Sequence, residues 1–381
     1  MKTETRGTLL EYAGFDEAVH DLAHYHSDEG VLTVYLDLDP GIAVRRGFEA
    51  ELSDLWKPLQ ARVADPWTRG RLEYEIAAVE EEAHGWPEAP GRAVAMFFSG
   101  PGGLRSVMPL RFPMRSVARF EARPMLSPLI AALEEHERYC VVMFDKNHAR
   151  ILTIFLGEVE DEEMLQSDVL GRSAVGGFAQ AGYARHREHQ LHEHARRTIE
   201  HLWAIDRSRP IHSLVLAGPD EALAELRLLL PKALSRIVVG TMPQEMFAVS
   251  ADVVKHVERL EAAARAKHDD EIAGQVVEAH GTGGAALGWE ETLAALSDGR
   301  VHLLVVMPGV TRSGVQCPEG HFAGVRPLTN CPACDEPLWK TEDAAEAAVR
   351  MAMLTDADVR FVCEGAAERL GSERIGALLR Y

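Results

Sequence analysis

Two groups of residues in this 381-residue chain have the types and spacing that chemistry requires. The first is Cys317-Pro318-Glu319-Gly320-His321, followed after nine residues by Cys331-Pro332-Ala333-Cys334. Cys-x3-His and Cys-x2-Cys each bring two side chains to one side of a tight turn. Two such knuckles can close a tetrahedron of thiolates and imidazole around Zn²⁺, and a shell filled entirely by protein ligands is a structural site rather than a catalytic one. The sequence therefore predicts that Cys317, His321, Cys331 and Cys334 bind structural zinc; one accidental pair of small residues is plausible, two in register much less so.

The second group begins at Gly176-Gly177-Phe178-Ala179-Gln180 and continues into a helix ending near Ala204. Leu191, Ala195, Ile199 and Leu202 recur at helical spacing and should face a core. Arg185, His189, His192 and Arg196 follow the same spacing on another face, with Arg187, His194, Arg197 and His201 alongside. From Arg185 to Arg209 there are six Arg and five His against four acids. Positive charge behind a glycine-rich loop fits contact with phosphates, with Gly176, Gly177, Phe178, Gln180, Arg185, Arg187, His189, Arg196 and Arg197 as the RNA-binding candidates. An ordinary solvated amphipathic helix accounts for the charge equally well. The histidines fan too widely around the helix to converge on a metal.

The elements that must position these groups fall into three blocks. In residues 1–122, Val31 to Leu38 and Val94 to Phe98 read as strands and Leu52 to Glu82 as helical, an α+β arrangement. Residues 123–280 read as a helix (Ser127 to His136), two strands (Tyr139 to Asp145 and Ala149 to Leu156), an acidic turn (Glu158 to Glu163), the long basic helix, and then strand–helix alternation through Ser213–Ala217. That pattern predicts a layered α/β domain. Gly281-Thr282-Gly283-Gly284 reads as a hinge, and residues 281–381 alternate again, with the Cys-rich segment inserted after the strand Val301 to Met307. Cys140 lies in an apolar run that suits a core position.

Composition narrows the function classes. Lys and Arg total 40 against 59 Asp and Glu, a formal charge of −19, which excludes a protein that coats nucleic acid with its whole surface but not one with a local basic face. No apolar run approaches the ~20 residues of a membrane span, and no leader segment is visible, so a cytoplasmic protein without membrane contact is expected. No P-loop, G-x-S-x-G or H-E-x-x-H motif is present, and the glycines at 281–284 lack the spacing of a dinucleotide loop.

Taken in order, these features resemble the archaeal/eukaryotic class-1 peptide-chain release factor and Pelota family, in its bacterial branch, over most of residues 95–381. Phe120-Glu121-Ala122-Arg123-Pro124, Val141-Val142-Met143-Phe144-Asp145 and Ala149-Arg150-Ile151 look like the entry into the family's central RNase-H-like domain, and Ile375-Gly376-Ala377-Leu378-Leu379-Arg380-Tyr381 is similar to the end of its C-terminal α/β domain with a zinc-ribbon insertion. The resemblance implies that Gly176 and Gly177 align with a Gly-Gly-Gln loop that enters the peptidyl-transferase centre, and that Tyr183-Ala184-Arg185-His186-Arg187 aligns with the basic helix behind it. Phe178 occupies the place of the catalytic Gln, so Gln180 is the only loop residue able to orient a water for ester hydrolysis. Neither Asn-Ile-Lys-Ser nor Tyr-x-Cys-x-x-x-Phe occurs, so stop-codon reading is not implied. What is implied is a factor that occupies the ribosomal A site, touching 23S rRNA and taking up tRNA-like contacts. It would act in hibernation, as bacterial members similar to Balon do, or in rescue, with elongation factor Tu or another translational GTPase as partner. Peptidyl-tRNA hydrolysis through Gln180 is the alternative.

Overall fold

The computed structural model describes residues 12–38, 48–86, 89–135, 138–155, 158–167, 180–243 and 245–380. The chain is mixed α/β with several separate sheets, the class its sequence predicts, and it folds into two compact units: residues 1–134 with 268–381, and residues 135–267. The first and third sequence blocks thus both contribute to the first unit.

In the first unit, α1 (Tyr12–His24) precedes a four-stranded antiparallel sheet of order β3-β2-β1-β4, built from β1 (Val31–Asp37), β2 (Ala93–Ser99), β3 (Leu104–Leu110) and β4 (Val117–Glu121). Val34 sits opposite Met96, and both central strands are almost wholly apolar because both faces are covered. The helical stretch expected over Leu52 to Glu82 is two helices, α2 (Phe48–Arg62) and α3 (Pro66–His84). Pro66 cannot continue a preceding helix but suits a first turn, and the Asp65 carboxylate caps α3 by accepting from the Thr68 amide at 2.8 Å. Leu52, Trp56, Leu72, Ile76 and Val79 seal these helices onto the sheet.

The remainder of this unit holds a second sheet of order β10-β16-β11-β15, from β10 (Ala285–Leu287), β11 (Val301–Val306), β15 (Asp358–Phe361) and β16 (Ile375–Leu379). The C-terminal Ile-Gly-Ala-Leu-Leu run is a central strand, antiparallel to β11, whereas β15 is parallel to it. Helices α9 (Gly288–Ser297) and α10 (Ala344–Leu354) bury one face. The other face takes α11 (Glu364–Arg369) and the end of α8 (Ser250–His280). The Gly281–Gly284 segment is a helix-terminating turn, with the Gly284 amide donating to Ala279 O at 2.9 Å, and not a free linker.

A buried polar network joins the two ends of the chain inside this unit. Glu346 on α10 accepts from the Leu126 and Ser127 amides at 2.8 and 2.9 Å, where α4 (Ser127–Glu135) begins, and from Arg350. Arg350, 3% exposed, also donates to Ala23 O at 2.9 Å and to Pro124 O. Arg123 donates to Pro318 O beside the first Cys-His knuckle, and burial together with the nearby Arg350 pulls its pKa down to about 10.

The second unit is one five-stranded sheet of order β7-β6-β5-β8-β9, made of β5 (Tyr139–Phe144), β6 (His148–Phe155), β7 (Glu158–Gln166), β8 (Ser213–Ala217) and β9 (Val238–Met242). β5, β6 and β7 form an antiparallel meander, and β8 and β9 run parallel to β5. This is the expected RNase-H-like topology. Residues 158–163, expected to be an acidic turn, are strand: the carboxylates alternate along the sheet edge and are answered by Arg138, Arg150, Arg209 and His201. Helices α5 (Gln180–Ser208), α6 (Asp220–Leu229) and the short α7 (Lys232–Arg236) lie on one face, and the start of α8 lies on the other.

Candidate metal centre and nucleic-acid interface

The four predicted metal ligands converge. The ligand atoms of Cys317, His321, Cys331 and Cys334 all lie within 4.8 Å of one another. A three-stranded sheet of order β13-β12-β14, from β12 (Gly314–Gln316), β13 (Ala323–Gly324) and β14 (Trp339–Thr341), delivers the first knuckle at the end of β12. The chain reverses through Gly320, whose φ of 79° favours glycine, and the Gly320 amide donates to Cys317 O at 3.0 Å. The second knuckle turns through Asp335 at φ 62°, with its amide on Cys331 O at 2.9 Å. The Ala333 amide points at Cys331 Sγ from 3.4 Å, which favours a thiolate there. Cys317 and Cys334 sulfurs stand 3.6 Å apart, close to the ~3.8 Å edge of a tetrahedron with ~2.3 Å metal–sulfur bonds. These residues can hold a metal ion, and the closed donor set leaves no position for a reacting water.

The basic helix is present as α5, 29 residues and so about 43 Å long. Gly176, Gly177 and Phe178 lie outside the described residues. Gln180 opens the helix, and Arg185 and Arg187 follow within it, but their side chains lie outside what is described. The apolar stripe is where periodicity put it: Ala195 and Leu202 are fully buried and Ile199 nearly so, against the β5–β8 face. His189, Arg196 and Arg197 are exposed.

That exposed face is salted with its own carboxylates. Arg196 pairs with Glu193 and Glu200, both at 2.8 Å, and the hydrogen bond from Arg196 holds Glu193 below the usual carboxylate range. His192 meets Glu225 at 2.7 Å and His201 meets Glu163 at 3.0 Å. Exposed, solvent-screened pairs of this kind hold their partners weakly, so a phosphate can displace them. His194 departs from the expected face. It is 1% exposed and stacked on Phe144 at 4.9 Å, and burial lowers its pKa. A residue one helical turn from Leu191 and beside Ala195 faces the sheet, and its charge potential misled the pattern.

One further feature had no clear sequence signal. Arg150, which an alternating strand pattern cannot distinguish from a surface residue, is buried and makes four hydrogen bonds, two to loop carbonyls (Met246 and Ala248), one to Ser250 at the start of α8 and one to Glu162 on β7. Cys140 is fully buried, as its apolar run predicts, and desolvation pushes its thiol up to about 12, so it is no nucleophile.

Residues 124–262 match the family model of bacterial archaeo-eukaryotic release factor family 10. The chain is similar to peptide chain release factor subunit 1 of Thermococcus kodakarensis, with 25% identity over 290 residues, covering 67% of this chain and 68% of that protein. The same factor from Pyrococcus abyssi is 24% identical over 67% of this chain and 69% of its own length. Among solved structures, a model of ribosome-bound archaeal Pelota and ABCE1 is 15% identical, covers 73% of this chain and 72% of that chain, and has a TM-score of 0.43.

Proposed function

The chain belongs to the bacterial archaeo-eukaryotic release factor/Pelota family, and from that premise we propose that it is a cytoplasmic, ribosome-associated translation factor that occupies the A site of idle or stalled ribosomes. The observation that carries this reading is the match of residues 124–262, the unit bearing α5, together with release-factor relatives over two-thirds of the chain. The chain supplies guanidinium groups on one long helix behind Gly176-Gly177. Arg side chains fork onto phosphates while glycine amides approach RNA without a Cβ in the way. Its acidic remainder restricts contact to that helix and leaves a surface for a translational GTPase such as elongation factor Tu.

The role is hibernation or rescue rather than termination. Phe178 carries neither a donor nor an acceptor, so the position that would orient water in a Gly-Gly-Gln loop cannot do so. The codon-reading motifs are missing from the sequence as well. The Cys/His cluster holds zinc in this reading, because three thiols and an imidazole in a closed shell suit that ion, and the ion fixes the knuckles from which Pro318 O meets Arg123.

Co-sedimentation with 70S ribosomes through sucrose at 50 and 200 mM salt tests the reading. Binding that weakens by at least tenfold over that range and drops further in an Arg196→Glu/Arg197→Glu variant is expected. Salt-independent or absent binding contradicts it. Release of peptide from stalled complexes, lost in Gln180→Ala, would establish hydrolysis instead.

A further inference from the structure

Within the second unit, the segment from Glu245 to Val249, between β9 and α8, directs alternate side chains in and out. Met246 and Ala248 pack on the cluster around Val215 and Val253, whereas Phe247 and Val249 are 72% and 67% exposed. This presentation is fixed from beneath. Arg150 Nη1 donates to Met246 O at 3.2 Å and Ala248 O at 2.6 Å, Nη2 to Ser250 Oγ at 2.8 Å, and Nε to Glu162 Oε1 at 2.8 Å. A buried guanidinium saturating two loop carbonyls makes a rigid pedestal, so the exposed ring is ordered before any partner arrives.

The ring has polar neighbours suited to nucleic acid. His148 meets it edge-on at 5.6 Å and 70°, and Lys146 of the same turn is 57% exposed, in a surface pair with Glu221. The turn is continuous with the basic helix, since His194 of α5 stacks on Phe144, the last residue of the strand that leads into it. The exposed apolar pair is only two side chains, Phe247 and Val249, flanked in sequence by the exposed Glu245 and Asp252, and its ring meets His148, two residues from the exposed Lys146. A stable protein interface covers ~800 Å² on each partner, far more than this patch offers. An unpaired nucleobase, by contrast, needs one exposed ring face and a cation near its phosphate.

We infer that Phe247 is a stacking platform for an unpaired base of ribosomal RNA, with His148 against its edge and Lys146 beside the nucleotide's phosphate. The inference rests on the ribosome-binding reading and names a contact within it. The test places the photo-crosslinker p-benzoylphenylalanine at position 247 of the full chain and irradiates it with 70S ribosomes. A crosslink to ribosomal RNA is expected. Phe247→Ala should weaken ribosome binding about tenfold with an unchanged salt slope, while Phe247→Trp keeps it. A crosslink to protein, no crosslink on ribosomes that are nevertheless bound, or an alanine variant that binds as the parent does, overturns the platform. Should the parent chain not bind ribosomes at all, the functional reading fails on its own. The platform is then decided by whether single-stranded oligoadenylate quenches the added fluorescence of Phe247→Trp: quenching supports it, and none refutes it.

Discussion

Replacing Arg350 by alanine should strongly destabilise the first unit. The side chain is 3% exposed and serves three acceptors: Ala23 O, Pro124 O and the Glu346 carboxylate. Its removal strands two carbonyls and leaves Glu346 with the Leu126 and Ser127 amides but no counter-charge. Breaking a buried pair in this way costs ~3–5 kcal/mol, a range that already contains the unsatisfied carbonyls. With a urea m-value of ~3 kcal/mol/M, the unfolding midpoint should fall by more than ~1 M. Five of the six tryptophans (Trp56, Trp67, Trp86, Trp289 and Trp339) lie in this unit, so their fluorescence reports its transition. Glu346→Gln keeps an oxygen for one of the two amides but sets an NH2 donor against the other, and should cost ~1–3 kcal/mol. Because both substitutions act on one network, the double variant should lose less than the sum, with a coupling of ~1–3 kcal/mol. A midpoint shift worth under ~1 kcal/mol for Arg350→Ala, or strict additivity, would refute the latch.

Cysteine reactivity offers a second check. In native protein loaded with zinc, alkylation should mark the exposed Cys363 alone; chelation should add Cys317, Cys331 and Cys334, and the buried Cys140 should react only after denaturation. Mass spectrometry counts the adducts, and early labelling of Cys140 would contradict its place in the core. The pH dependence has a definite sign. Burial raises Glu121 to about 7 and Asp343 to about 6, so the folded state binds protons that the unfolded chain has released, and their contribution to stability is lost as pH rises from about 4.5 through 7. Glu121→Gln should flatten that loss relative to the parent; parallel stability–pH curves would show that the carboxyl is not desolvated. His194 works in the opposite direction. Burial lowers its pKa, so stability falls as pH drops below about 6.5, and His194→Leu should blunt that acid-side loss in urea titrations at pH 5 and 7.

The parts legible in the sequence are those where local pattern and tertiary role coincide. The apolar runs 31–37, 93–99, 139–144 and 301–306 are strands because their burial leaves no polar alternative, and Ala195, Ile199 and Leu202 keep helical period because one face of α5 meets a sheet. Cys317 to Cys334 was legible because ligand spacing encodes geometry directly. Partners brought from distant sequence were not. An edge strand such as β7, whose carboxylates are answered by arginines on other elements, looks like a polar turn. Glu346 in an alanine-rich helix gives no sign that it accepts from residues more than 200 positions away. Nothing local distinguishes the Arg150 that carries Phe247 outward from any other arginine on a strand.

The central claim is that this chain seats in the A site with its basic helix on ribosomal RNA. A density map of the full chain bound to vacant 70S ribosomes addresses it directly. The account predicts density in the A site, with the loop at 176–180 directed toward the peptidyl-transferase centre and Arg196 and Arg197 within reach of 23S phosphates. Density elsewhere on the ribosome, or α5 turned away from RNA, would contradict it.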